Sequence, residues 1–272
     1  MIDARDRLLQ SLRAIDPLRD KDDFEAVINE WRKSVGEKFN DQFDATVAYG
    51  PFAGLKLSYD RNSWGLDRAS MLFGIYEQNI VASLMAAPER YTTFIEIGAT
   101  DGYYGLGALH CKKFESSYLF ESDNNIRRVL HRNCELNALS DRATVLGDAD
   151  EYFYQRIPPT KIENSVLFLG VEGGEFDILT KAALAAFKHS ILFIELHDFQ
   201  VANGTEKLDQ LMDRAADLFE ITELTGTQFV DVNRFKELTG LSDNLRAILF
   251  SEGRRQWMKW LRLSPRLHAA RL

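Results

Sequence analysis

Beyond Pro88 the chain repeats one pattern, a short apolar run followed by a stretch of helical periodicity, and this constrains the fold more than any other feature. The runs lie at Phe94 to Gly98, Tyr118 to Glu121, Ala143 to Leu146, Val166 to Leu169 and Ile191 to Glu195. Short runs without polar alternation suit strands buried on both faces, and intervening helices are what parallel connections require. Ile126, Val129, Leu130 and Cys134 share a helical face after the second run, and Phe176, Leu179, Ala183 and Phe187 share one after the fourth. Phe219 to Leu224 and Arg246 to Phe250 read as two further strands. The expected fold is α/β, a Rossmann-like, seven-stranded, doubly wound sheet over residues 89–252.

Residues 1–88 read as a helical and hairpin appendage. Leu8, Leu9, Leu12 and Ile15, then Phe24, Val27, Ile28, Trp31 and Val35, mark two amphipathic helices around Pro17. Gly50-Pro51, Gly54, Asp60 and Asn62 punctuate short segments, which predicts a small hairpin between Ala45 and Trp64. Met71, Leu72, Ile75, Ile80, Val81 and Leu84 predict one helix that stops near Pro88. At the other end, residues 253–272 carry six Arg or Lys and no acid, interleaved with Trp257, Trp260, Leu261 and Leu263. That composition suits a tail that lies weakly on an anionic membrane surface, or one that packs its tryptophans on the domain.

The whole chain has 272 residues and a formal net charge of −8, which argues against nucleic acid as a partner. Two cysteines, Cys111 and Cys134, are too few for a disulfide framework and lack metal-site spacing. The charged N-terminus and the lack of a long apolar span lead to the expectation of a cytoplasmic protein.

In an open α/β sheet, ligands bind outside the carboxyl ends of the strands. After the first run come Glu96, Gly98, Ala99, Thr100 and Gly102, small residues where backbone can approach a ligand, with an acid able to accept from an ammonium. Glu121, followed by Ser122, stands nineteen residues beyond Gly102, the spacing at which nucleotide-binding units place an acid on ribose hydroxyls. Asp148 and Ala149 follow the third run, where a carboxylate can accept from an adenine amine. One acid after each of three consecutive strands predicts an adenosine-type cofactor. Thr100 occupies the middle glycine position of the dinucleotide fingerprint, which places an NAD-dependent oxidoreductase second.

Three segments, FIEIGATDGYYG (Phe94 to Gly105), LFLGVEGGEFDIL (Leu167 to Leu179) and ILFIELHDF (Ile191 to Phe199), resemble the FkbM-like branch of the class I S-adenosylmethionine-dependent methyltransferases. YGPFAGLKL (Tyr49 to Leu57) and LFGIYEQNI (Leu72 to Ile80) are similar to the lead-in some members carry. The resemblance implies a class I methyltransferase fold with S-adenosylmethionine as cofactor. It also implies O-methylation of a hydroxyl on a carbohydrate or glycosylated metabolite, a small-molecule or glycan acceptor. Glu172, Gly173 and Glu175 match the family's fourth-strand motif, whereas Gly170 stands where an acid is usual. That departure keeps open a third reading, an S-adenosylmethionine-binding protein without catalysis.

Methyl transfer to an alcohol benefits from a base, typically by roughly a hundred- to ten-thousand-fold. His197 is the preferred base, with Glu195 or Asp198 to orient it and Glu172 as a second carboxylate. Glu172 and Glu175 also suit the positive end of a helix. Glu172, Glu175, Glu195, His197 and Asp198 form no tight ligand motif, so no metal is expected.

Overall fold

The computed structural model describes residues 21–58, 66–225, 231–252, 254 and 258–266. The first predicted helix (Leu8, Leu9, Leu12, Ile15), Asp60, Asn62, Trp64 and Trp257 lie outside the described residues. The described residues open with α1 (Lys21–Gln42), α2 (Arg68–Leu72) and α3 (Gln78–Met85). It continues with β1 (Thr93–Ile97), α4 (Tyr103–His110), β2 (Ser116–Phe120), α5 (Asn124–Leu136) and β3 (Ala143–Leu146). Next come α6 (Pro159–Ile162), β4 (Ser165–Leu169), α7 (Glu175–Ile178), α8 (Lys181–Ala186) and β5 (Ile191–Leu196). The series ends with α9 (Gly204–Ala216), β6 (Phe219–Thr225), α10 (Asp243–Phe250) and β7 (Lys259–Pro265).

The strands form one seven-stranded sheet in the order β3-β2-β1-β4-β5-β7-β6. The first five are parallel, and β7 runs antiparallel to both β5 and β6. This is the seven-stranded doubly wound α/β sheet expected from the apolar runs. Alternate side chains explain the two cores. Phe94, Leu119, Phe168 and Phe193 point to one face with Leu84, Leu106 and Leu130, while Ile95, Ile97, Leu167 and Ile194 point to the other with Phe176, Phe187 and Leu211.

Two elements depart from expectation. Arg246 to Phe250 is not a strand but the end of α10, whose start is fixed by Ser242 Oγ accepting from Leu245 N at 3.4 Å. The seventh strand is instead Lys259–Pro265, inside the segment expected to be a separate basic tail. Trp260 packs on one face of the sheet and Leu261 and Leu263 on the other, all at most 3% exposed. Residues buried in the interior of a sheet cannot offer an apolar face to a membrane, so the membrane-surface expectation is corrected. Among the described residues no helix is long and apolar enough to cross a membrane.

The appendage shares its core with the sheet. Val47, Phe52, Leu55, Leu57, Ile80 and Leu84 belong to the same buried cluster as Phe94 and Phe168. Asn133 on α5, fully buried, accepts from Ser58 N at 2.7 Å and donates to Asp101 O at 2.8 Å, tying the pre-sheet segment to the turn after β1. The hairpin expectation reduces to one antiparallel bridge, Thr46 with Lys56. The single helix expected from Met71 to Leu84 is two, because Gly74 (φ 63) and Glu77 (φ 41) take left-handed backbone between them. A Cβ at Gly74 would sit 2.0 Å from Tyr49 O, so only glycine lets the two segments touch there. A third cluster joins Phe39 of α1 and Phe73 to Phe235, Leu238 and Leu249.

Candidate active site

β1 and β4 are neighbours whose chains leave the sheet toward opposite sides, which makes their carboxyl ends the switch point of the fold. A cavity of about 730 Å³ opens there. Of the expected cofactor residues, Glu96, Gly98, Thr100, Glu121, Ser122, Asp148 and Ala149 line it. Ala99 and Gly102 do not. Ala99 is buried and donates to Phe120 O at 2.9 Å, and Gly102 (φ 91) caps α4 against Leu106 and Leu130.

Gly98 has φ 84, and a Cβ on it would lie 2.1 Å from Gly170 O, so the ends of β1 and β4 meet backbone to backbone. Thr100, also left-handed at φ 47, is held by its N–H donating to Glu121 Oε2 at 2.9 Å. Glu121 Oε1 accepts from Asp123 N at 2.8 Å. Each oxygen keeps a lone pair, so a carboxylate that shapes the turn can also accept from a ribose. Glu96 is buried, its Oε2 accepting from Gly105 N at 3.0 Å. Burial pushes its carboxyl well above the ordinary range, against the Gly105 N–H, which favours the charged form.

At the other end, residues of the appendage complete the wall. Asp67, Met71, Tyr76 and Glu77 line it together with Tyr103, Tyr104, Phe168 and Trp260. Tyr104 stacks obliquely on Phe168 at 4.5 Å between centroids, and Phe168 on Trp260 at 4.8 Å. Tyr104 OH donates to Glu77 Oε2, and Arg254 donates to Glu77 Oε1. Arg254 Nη1 also donates to Glu195 Oε1 at 2.6 Å and its Nε to Glu252 Oε2 at 2.8 Å. Burial pushes the Glu77 carboxyl up to about 8, helped by Glu195 and opposed by Arg254. Sequence reading missed Tyr76, Glu77, Tyr104, Arg254 and Trp260. The left-handed Glu77, a strained conformation for a residue with a side chain, is visible only in the folded chain.

The expected catalytic residues divide. Glu172 and Glu195 line the cavity, whereas His197, 3% exposed, does not. Its Nε2 lies 3.6 Å from Glu172 Oε2 and 4.0 Å from Glu195 Oε2, so it reaches the cavity only through these carboxylates. Glu175 is structural. Fully buried, it accepts from His197 N at 2.7 Å and Gly173 N at 2.9 Å, which joins the β4 loop to the end of β5. Among the described residues no three His, Cys, Asp or Glu side chains are grouped to hold a metal ion.

The charge of the lining is one-sided. Eleven Asp or Glu side chains line the cavity and, among the described residues, no Lys, Arg or His. A pyrophosphate would meet no cationic side chain among those lining it, while a cationic ligand meets many carboxylates.

No family model matches the chain, and no curated protein does. Similar solved structures include a Streptococcus pneumoniae protein provisionally assigned as a tRNA (m1A22) methyltransferase, in complex with S-adenosyl-L-methionine. It is 14% identical, with TM-score 0.46, over 69% of this chain and 71% of that one. The Bacillus subtilis m1A22 tRNA methyltransferase is 11% identical, with TM-score 0.42, over 67% and 63%. A provisionally assigned O-methyltransferase from Klebsiella pneumoniae is 12% identical, with TM-score 0.43, over 69% and 79%. Likeness at these identities concerns the sheet alone. Two of these three carry tRNA in their names, and the expectation that excluded nucleic acid and limited the acceptor to a small molecule or glycan is withdrawn. A net charge of −8 describes the whole chain and does not decide what one face of it meets.

Proposed function

We propose that the chain is a class I S-adenosylmethionine-dependent methyltransferase that acts on a hydroxyl. The carrying observation is the carboxylate-lined cavity at the β1/β4 switch point, which suits a sulfonium and ammonium donor and not the phosphates of a dinucleotide. The residues present fit that donor. Glu96 would take its ammonium, Gly98 would admit its backbone-hugging chain, Glu121 would accept from the ribose and Asp148 from the adenine amine. When bound, the donor supplies an activated methyl group, and the chain's part is alignment.

The finer reading, oxygen as the nucleophile, is supported by the FkbM-like segments and by carboxylates able to receive a hydroxyl proton. Glu172 and Glu195 both line the cavity, with His197 behind them as a positioning residue. The aromatic wall of Tyr76, Tyr103, Tyr104, Phe168 and Trp260 keeps water from the reacting end.

Calorimetric titration with S-adenosylhomocysteine and, separately, with NADH tests the cofactor. Binding of the first and not the second is expected, and the reverse would overturn the reading. A coupled assay for S-adenosylhomocysteine release against saccharides, phenols and RNA then tests the acceptor. Turnover confined to amines or carbon nucleophiles would exclude O-methylation.

A further inference from the structure

We propose that Glu195 supplies the carboxylate that faces the sulfonium of the methyl donor, reaching over from β5 into the space that Gly170 leaves open at the end of β4. The assignment rests on the methyl-donor reading above and specifies how that site distinguishes donor from product.

Gly170 ends the β4 run directly against Gly98, and both line the cavity at the switch point. A Cβ built on Gly170 would lie 3.3 Å from Glu195 Oε2. Glu195 therefore occupies the volume a side chain at position 170 would enter. Its orientation is fixed from the far side, where Arg254 Nη1 takes Oε1 at 2.6 Å while the same guanidinium holds Glu77 and Glu252. Oε2 is left toward the cavity, with no hydrogen-bond donor among the described residues and His197 Nε2 4.0 Å away. The Glu195 side chain is 14% exposed, so a charge facing it is only partly screened.

An independent feature marks the same end as a ligand site. Trp260, the register partner of Glu195 across β5 and β7, is 1% exposed and lines the cavity, yet its Nε1–H has no acceptor. A buried indole N–H without a partner is unusual and expects one from a bound molecule. A sulfonium carries fixed positive charge and no hydrogen to donate, so only an opposed charge or an aromatic face can favour it. Glu195, Tyr104, Phe168 and Trp260 provide both. Loss of the methyl group makes that sulfur neutral, and the attraction to Glu195 lapses, which favours exchange of product for fresh donor.

The test is calorimetric titration of the full chain with S-adenosylmethionine and S-adenosylhomocysteine. The wild-type chain should prefer the methylated ligand. Glu195→Gln keeps the shape and the bond to Arg254 but removes the charge, and should weaken the methylated ligand about five- to tenfold while changing the demethylated one less than about twofold. Gly170 has no left-handed backbone requirement, and a Cβ there would crowd Glu195 Oε2 at 3.3 Å, so Gly170→Asp fits once the side chain at 195 is shortened. Combined with Glu195→Ala, which vacates that volume, it should restore the preference by returning a carboxylate to the same place. Equal losses for both ligands, no loss for either, or failure of the double variant to recover would each overturn the assignment with the methyl-donor reading intact. If the wild-type chain binds neither ligand, that reading falls and this one with it.

Discussion

Glu96 is a carboxyl held in the interior by one backbone donor, and burial raises its pKa well above the ordinary range. A donor ammonium brought alongside supplies the missing opposite charge and pulls its pKa down, so binding should release protons, at most about one per site. Calorimetry in buffers of different ionisation enthalpy measures this directly. Glu96→Gln should abolish the release, and a buffer-independent wild-type enthalpy would refute the placement. Glu96, Gly98 and Glu121 were legible in the sequence because each follows an apolar run, and strand ends in an open α/β sheet converge. Glu77, Arg254 and Trp260 were not. Glu77 and Trp260 reach the cavity from the appendage and from β7, with Arg254 behind Glu77, and only tertiary packing reveals that one guanidinium spans Glu77 and Glu195.

Among the elements, β7 shows where sequence pattern fails. Its Lys259, Arg262 and Arg266 neighbours give it the composition of a solvated cationic helix, yet it lies between β5 and β6 with a buried residue on each face. Arg262 is accommodated by lying over the Phe193 ring, 5.9 Å from its centroid, with its aliphatic stem on apolar surface. The strand at Arg246 to Phe250 was misread for the converse reason, since the apolar run of four after Arg246 fits one turn of a half-buried helix as well as a strand. The parallel strands carried no such ambiguity, and their observed bounds lie within about two residues of the apolar runs. The interior position of β7 predicts that Trp260→Ala costs about 3–5 kcal/mol in urea denaturation. Lys259→Ala, on the same strand but exposed, should change stability by no more than about 0.5 kcal/mol. Similar small losses for both would contradict the packing.

For the molecule as a whole, the notable balance is in its buried acids. Asp67, Glu77, Glu96, Asp101 and Glu175 are all displaced upward by burial, Asp67 to about 6 and Glu77 to about 8. Between their ordinary values and these, the folded state holds protons that the unfolded chain has released, so stability falls as pH rises. Urea midpoints should therefore be higher at pH 6 than at pH 8.5. Glu77→Gln should flatten the profile by at most about 1.4 kcal/mol per pH unit, the limit for one proton. A midpoint that rises with pH would refute the assignment of these groups as buried and protonated.

The placement of β7 also sets a timetable for biosynthesis. As a ribosome delivers the chain, the five parallel strands emerge in sequence and can assemble, but β6 has no neighbour to pair with among the described strands until β7 has followed it. Until then β5 presents a bare apolar edge of the kind that recruits other chains. The nascent protein is thus most exposed to misassembly in the interval between the fifth strand and the seventh, and a translational pause there should cost more soluble product than a pause anywhere earlier in the sheet.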